Sequence, residues 1–346
     1  MSFRVGVTGD FAPGSLISGW IEPAVGEHLE GLQGLDWEFL PTNDSLLVVP
    51  DVVSGFDAVI SGDYRWTRAS FEAADSLMLV ACWGIGVDGI DLGAATDADI
   101  AVTNSPSPGN HASVAESALT LILALSKLLL NKDRLTKAGR AGDAQAMRGT
   151  LIRGHTIGII GLGNTGRQFG RLLRPLAPAR LLAYDPYVGP EVAESLGIEL
   201  VEIGTLVEQA DYVVVMCTLN EETRGLLSGE LLGRMKPTAY LVNTARGPVV
   251  DQAALIELLR GRAIAGAALD VTDPEPPPPD DPLLALDNVI VTGHALAWTE
   301  ESLRGACEFP CRAVAAAYRG TLPDHVVNRS VVERAGFQAK LARRTA

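Results

Sequence analysis

The chain has 346 residues, of which 47% are hydrophobic, 20% charged and 5% aromatic. This is a globular mixture with room for two domains, outside the disordered and fibrous classes. Lys and Arg total 28 against 42 Asp and Glu, a formal net charge of −14; so acidic a chain repels phosphate backbones and anionic bilayers, and neither nucleic acid nor a membrane is expected as a partner.

Short apolar runs alternate with helix-like segments along the whole chain. In the first third the runs are Arg4–Thr8, Trp37–Leu40, Ala58–Ile60, Leu77–Ala81 and Ile100–Thr103. Further on they are Thr156–Ile160, Leu181–Tyr184, Tyr212–Met216, Ala239–Val242, Ile264–Leu269 and Val289–Thr292. Continuous rather than alternating apolar runs mark parallel strands covered on both faces. Strand–helix alternation predicts an α/β protein built from crossover units, here two doubly wound parallel sheets.

Between the two groups of strands, Ser113-Val114-Ala115-Glu116 has capping-box spacing. It predicts a helix from Ser113 through the apolar run to Leu130, interrupted by Glu116 and Lys127 and short for a membrane span, hence a buried helix. A polar stretch, Asn131–Arg153, leads to the strand at Thr156. Glu300–Tyr318 is helix-like again and is expected to return to the first unit. The expected division is therefore a discontinuous first domain, residues 1–103 with 298–346, around a second domain at 104–297.

The opening Met1-Ser2-Phe3-Arg4-Val5 lacks the apolar core of a signal peptide. Cys82, Cys217, Cys307 and Cys311 are too few and too scattered for a disulfide framework, and no His or second Cys pair completes a metal site. They read as reduced thiols of a cytoplasmic protein.

Chemistry-bearing residues sit just past the strands. Thr156–Ile160 runs into Gly161-Leu162-Gly163-Asn164-Thr165-Gly166 and then a helical pattern. Gly161 permits the tight turn, Gly163 lets backbone approach a pyrophosphate, and Gly166 lets the helix pack close to the strand. The helix start presents N–H groups and a positive dipole end to the anion. The next strand ends in Asp185, 19 residues beyond Gly166, where a carboxylate accepts from both ribose hydroxyls and repels a 2′-phosphate. NAD rather than NADP is the expected cofactor.

Later strands end in Asn243-Thr244-Ala245-Arg246-Gly247, in Asp270-Val271 followed by Glu275-Pro276, and in Gly293-His294. Ligands of open parallel sheets bind outside the carboxyl ends of the strands, so Arg246, Glu275 and His294 are expected to share one site.

These motifs, with Gly84-Ile85-Gly86-Val87-Asp88-Gly89-Ile90-Asp91 and Ser113–Glu116, resemble those of the D-isomer-specific 2-hydroxyacid dehydrogenases over nearly the whole chain. The resemblance implies a Rossmann NAD-binding domain inserted into a discontinuous, flavodoxin-like substrate domain, and a homodimer. It implies interconversion of a D-2-hydroxy acid and its 2-oxo acid by hydride transfer. Arg246 would hold the substrate carboxylate, His294 would be the acid/base, and Glu275 would orient His294 and favour its imidazolium. Cofactor contacts are implied at Gly161, Gly163, Asn164, Thr165, Gly166, Asp185, Thr218, Thr223, Thr244, Ala245, Arg246, Asp270 and His294. Substrate contacts are implied at Trp83, Gly84, Ile85, Arg246 and His294.

The chain departs from the family pattern in three places. Gly293 stands where Pro commonly precedes the catalytic His, Thr218-Leu219-Asn220 replaces a Pro-Leu-Thr loop, and no basic residue occurs from Leu77 to Asp97. The last departure points to a small unphosphorylated substrate of the glyoxylate or hydroxypyruvate type. The alternatives are a phosphoglycerate dehydrogenase-type activity and an NADH-sensing binding module. Glu275 in place of Gln argues against the formate-oxidising type, and the missing Lys near Gly84 against the phosphite-oxidising type.

Overall fold

A computed structural model describes residues 2–343 apart from Leu16, Thr42 and Asp44. The chain divides into two compact units, residues 1–110 with 300–346, and residues 111–299.

The first unit is built on a five-stranded sheet of β1 (Phe3–Val7), β2 (Leu35–Phe39), β3 (Ala58–Ser61), β4 (Leu79–Cys82) and β5 (Ala101–Thr103). All pairs are parallel, in the order β2-β1-β3-β4-β5. This is the flavodoxin-like order, with its switch point beside β1 and β3. The helix Glu300–Tyr318 packs on β3, β4 and the helix Ile21–His28. Just beyond it the chain covers the free edge of β5. The Asn328 side chain accepts from Val102 N–H at 2.9 Å and donates to the Ile100 carbonyl at 2.9 Å, and Val327 N–H donates to the Val102 carbonyl at 2.8 Å. An edge closed this way offers no template for foreign strands.

The second unit carries β6 (Thr156–Ile160), β7 (Arg180–Tyr184), β8 (Glu199–Leu200), β9 (Tyr212–Val215), β10 (Tyr240–Asn243), β11 (Gly266–Leu269) and β12 (Val289–Val291). The sheet is parallel throughout, in the order β12-β11-β10-β9-β6-β7-β8. Its continuous apolar runs divide between two layers. Ile160, Val213, Val215, Leu241, Ala267 and Leu269 enter one core, while Ile157, Ile159, Tyr212, Val214, Val242 and Ala268 enter the other. Each fully buried Val or Leu contributes about 1.5–3 kcal/mol, so a strand apolar on both sides is stable only between two helical layers.

One local expectation needs correction, and two features carry no signal in the sequence. Ser113 does not cap a helix start. The helix runs Pro108–Lys127, and Ser107 Oγ accepts from Asn110 N–H at 3.1 Å. Ser followed by Pro at the first helical position is the stronger start, and Ser113, one and a half turns in, donates its hydroxyl to the Ala297 carbonyl at 2.8 Å. The polar stretch after it holds the helices Leu129–Lys137 and Ala141–Ala146. Leu128, at φ +54°, breaks the chain direction before the first of them. Finally, β8 has two residues, too few for any periodicity to announce it.

All four cysteines are free. Burial pushes the Cys82 and Cys307 thiols up to about 12 and the Cys217 thiol up to about 11, so none is a nucleophile near neutrality. Among the described residues no single helix is long and apolar enough to cross a membrane.

Candidate active site

Because every strand of the second sheet is parallel, all its carboxyl ends lie on one edge. Along that edge the strand order sets the order of the ends. His294 follows β12, Asp270 follows β11, Thr244–Arg246 follow β10, and Thr218 follows β9. The Gly161–Gly166 turn then follows β6, and Asp185 follows β7. Neighbouring ends are about 4.8 Å apart. The order reverses between β6 and β9, which makes the glycine turn the topological switch point, where open α/β sheets bind ligands.

The turn is built as a dinucleotide needs it. Gly161 has φ +97°, and a Cβ there would meet Cys217 N at 2.6 Å. A Cβ on Gly166 would lie 2.2 Å from the Gly161 carbonyl oxygen, so only glycine lets this helix start so close to the strand. A Cβ on Gly163, at the N-cap of the helix Asn164–Leu173, would meet nothing within 4 Å. The space above that backbone is what a pyrophosphate requires. Asp185 closes the turn: its Oδ2 accepts from Leu162 N–H at 2.8 Å and its Oδ1 from Tyr187 N–H at 2.9 Å. Each oxygen keeps a second lone pair for a ribose hydroxyl. After β9, Thr218 and Thr223 belong to one self-bonded loop, in which the Thr223 hydroxyl donates to the Thr218 carbonyl at 2.6 Å and accepts from Asn220 N–H at 2.8 Å.

At the other end of the edge, Glu275 Oε1 accepts from His294 Nδ1 at 2.5 Å. The His294 pKa is raised, first by this hydrogen bond to Glu275, against the opposing effect of burial; the Glu275 and Asp270 charges raise it further and the Arg246 guanidinium lowers it. Arg246 is thus near enough to act on the ring electrostatically. Its Nη1 donates to the Ala245 carbonyl at 2.8 Å, and Ala245 is itself buried. Thr244 N–H donates to the Val215 carbonyl at 3.3 Å, which joins the ends of β10 and β9.

Asp270 is buried and acts as the brace of the His294 turn. Its Oδ1 accepts from the Thr292 hydroxyl at 2.6 Å, and its carbonyl accepts from His294 N–H at 2.5 Å. Gly293 has φ +65° and His294 φ +57°. Proline, locked near −65°, cannot occupy the first of these positions, so this turn takes its own backbone path and still delivers the imidazole to Glu275.

Three positions in the site carry more than the motifs indicated. Asn243, buried at the end of β10, donates to the Arg246 carbonyl at 3.0 Å and accepts from Ala245 N–H at 3.0 Å, which sets the Arg246 turn. An Asn just before a turn is a recognisable signal for such a bond. Gln252 makes a reciprocal pair with the Asp273 backbone, donating to its carbonyl at 2.8 Å and accepting from its N–H at 2.8 Å; no local pattern announces that. Gly247 lies against the same segment, and a Cβ there would be 2.0 Å from the Thr272 carbonyl oxygen. This close approach ties the turn carrying Arg246 to the loop carrying Glu275.

In the first unit, Trp83, Gly84 and Ile85 follow β4. The Trp83 ring is buried, edge-on to Phe11 at 5.8 Å. The Gly84 carbonyl accepts from Ser105 N–H at 2.9 Å and the Ile85 carbonyl from Asn104 Nδ2 at 2.9 Å. Turning these carbonyls inward leaves the N–H groups of Gly84, Ile85 and Gly86 without an acceptor among the described residues. Successive N–H groups of this kind suit an anion. Tyr64 is buried, and Arg68 is exposed and paired with Asp97. Among the described residues no group of three or more His, Cys, Asp or Glu is placed to hold a metal ion.

Comparison with known proteins agrees with this geometry. A family model described as the NAD-binding domain of D-isomer-specific 2-hydroxyacid dehydrogenases matches residues 119–295. A glyoxylate reductase of Korarchaeum cryptofilum is 39% identical over 273 residues, 78% of this chain and 82% of that protein. A D-3-phosphoglycerate dehydrogenase of Archaeoglobus fulgidus is 38% identical over 267 residues, 77% of this chain but 50% of that protein, so the chain spans half the length of that relative. Among solved structures, a glyoxylate/hydroxypyruvate reductase of Sinorhizobium meliloti, described as NADPH-dependent and in complex with NADP and malonate, superposes with a TM-score of 0.80 at 26% identity, over 95% of this chain and 98% of that one. The chain belongs to the D-isomer-specific 2-hydroxyacid dehydrogenases, a family of NAD-dependent oxidoreductases.

Proposed function

We propose that the chain is an NADH-dependent reductase of a small, unphosphorylated 2-oxo acid of the glyoxylate or hydroxypyruvate type, yielding the D-2-hydroxy acid. The observation that carries the reading is the Glu275–His294 pair beside Arg246 at one end of an edge whose other end is built for a dinucleotide.

Gly161–Gly166, Asp185, Thr218, Thr223, Thr244, Ala245 and Asp270 hold the cofactor in this assignment. A nicotinamide held there would supply hydride exchange with the substrate's C2. Arg246 pairs its planar fork with the substrate carboxylate and polarises the carbonyl. His294 holds a proton on Nε2 and delivers it to the carbonyl oxygen as C2 is reduced; in the reverse direction Nε2 takes it back. Glu275 holds Nδ1 protonated, which fixes the ring orientation and favours the imidazolium that reduction consumes. We assign Gly84 and Ile85 to the substrate carboxylate through their N–H groups, and Trp83 to the shape of the pocket wall.

The substrate class rests on charge. No Lys or Arg occurs from Leu77 to Asp97. At the end of β1, Asp10 accepts from the Thr8 hydroxyl at 2.5 Å and from Asp63 N–H at 2.7 Å, and burial raises its pKa. A phosphorylated substrate needs cations, and the segment that carries Gly84 and Ile85 supplies none. Purified protein with NADH and glyoxylate, hydroxypyruvate or 3-phosphohydroxypyruvate tests this. Turnover of the first two supports the reading; turnover of the phosphorylated acid alone overturns the substrate class. NADH binding without turnover of any 2-oxo acid favours the sensing module.

The assembly we assign is a homodimer in the cytoplasm. The four free thiols support a reducing compartment. Leu129, Leu130 and Leu151 are 56%, 49% and 62% exposed, which supports an apolar contact formed by the segment after the long helix. Analytical ultracentrifugation giving only monomer overturns the dimer.

A further inference from the structure

The glycine turn has a titratable neighbour that neither the sheet edge nor the reaction uses. His111, on the helix Pro108–Lys127, reaches the two residues between Gly163 and Gly166. Its Nδ1 lies 3.3 Å from the Thr165 hydroxyl and its Nε2 lies 3.4 Å from Asn164 Nδ2. Those residues open the helix whose N-terminus faces the pyrophosphate position. We propose that His111 is a proton-linked positioning residue of the dinucleotide site: it takes up a proton when the pyrophosphate binds and so makes cofactor affinity depend on pH.

The hydrogen-bond inventory gives the mechanism. Asn164 Nδ2 can only donate, so His111 Nε2 accepts and the ring is neutral, with its proton on Nδ1 directed to Thr165 Oγ1. Burial, acting to lower the pKa of this ring, favours that state without a ligand. An imidazolium donates at both nitrogens. Protonation therefore turns Asn164 so that Oδ1 faces the ring, and places a positive charge against the two residues that open the helix.

The charged groups on the surrounding elements are otherwise engaged. Arg167 donates through Nε to the Leu162 carbonyl at 2.9 Å, Arg171 reaches Gln168, and Asp185 holds two backbone N–H groups. On the helix of His111 itself the nearest is Glu116, which is exposed. The bound pyrophosphate would then be the ring's strongest partner, and by linkage what raises the ring's pKa tightens binding at lower pH.

ADP-ribose is the probe, because it carries the pyrophosphate without the nicotinamide and so leaves His294 aside. Its Kd is measured by calorimetry on the whole protein from about pH 5.5 to 8.5, for wild type and His111→Gln, in two buffers of different ionisation enthalpy. The expected result is a wild-type Kd that weakens with rising pH, tenfold for each unit by which binding raises the ring's pKa, with proton uptake on binding. In His111→Gln both the slope and the uptake vanish. A wild-type Kd flat with pH, absent proton uptake, or a His111→Gln protein with the wild-type slope overturns the proposal. If His111→Gln does not fold, His111→Asn takes its place, and absent proton uptake in the wild type overturns the proposal by itself.

Discussion

Glu275 Oε1 and His294 Nδ1 meet at 2.5 Å although 19 residues separate them in the chain. The contact exists because each residue ends a segment tied to its neighbours: Gln252 grips the Asp273 backbone before Glu275, and Asp270 grips the turn of His294. Its consequence is a histidine whose pKa is raised, chiefly by that hydrogen bond.

Reduction needs the imidazolium, so its rate should be highest below the raised His294 pKa and fall as pH rises through it. Oxidation of the hydroxy acid needs the neutral ring and should show the opposite trend. Glu275→Gln removes the first cause of the shift, and the falling limb of the reduction profile should move to lower pH. Profiles of kcat/KM against pH for both proteins check this; superimposable profiles contradict the pairing.

Asp185 is the expected source of the preference for NADH. A carboxylate a few ångströms from a 2′-phosphate costs about 1 kcal/mol or more per charge pair even in water. Asp185→Asn should therefore lower the NADH-to-NADPH ratio of kcat/KM by about tenfold. The Asn oxygen can still accept from Leu162 N–H, but its NH₂ cannot accept from Tyr187 N–H, so a modest fall in melting temperature should accompany the loss of that exposed hydrogen bond. An unchanged ratio would place cofactor selection elsewhere.

Gly247→Ala would drive a methyl into the Thr272 carbonyl oxygen. Overpacking of this kind costs about 1–3 kcal/mol, and the strain falls on the segment carrying Glu275. We expect a lower Tm together with lost turnover. Gly163→Ala is the control, since its methyl meets nothing in the protein: it should keep its Tm and lose NADH affinity. Equal Tm values for the two variants would contradict the packing argument.

Much of this is legible in the sequence. Runs such as Tyr212–Val215, apolar at every position, require cover on both faces, and that implies parallel strands with their carboxyl ends on one edge. From there Gly161–Gly166, Asp185, Arg246 and His294 fall along that edge by topology. What local reasoning missed depends on distant partners or on competing local signals. Ser113–Glu116 reads as a helix start, and only the fold shows that the helix begins at Pro108 and that Ser113 is needed at the Ala297 carbonyl. Gln252 and His111 look like ordinary helix residues; their roles come from bonds to Asp273 and to Asn164 and Thr165. Gly293, where the family pattern has Pro, opens a defined turn with two successive left-handed residues held by Asp270.

The most direct test of the account separates chemistry from cofactor binding in one protein. Steady-state oxidation of NADH by glyoxylate is measured for wild type, Arg246→Ala and His294→Ala, and the NADH Kd of each is measured by fluorescence. We predict that wild type turns over and that each variant loses about 10²–10⁴-fold in kcat, with an NADH Kd within a few-fold of wild type. A His294→Ala protein with near-normal turnover, or a loss of rate fully explained by lost NADH binding, would contradict the assignment of His294 as the acid and Arg246 as the carboxylate clamp.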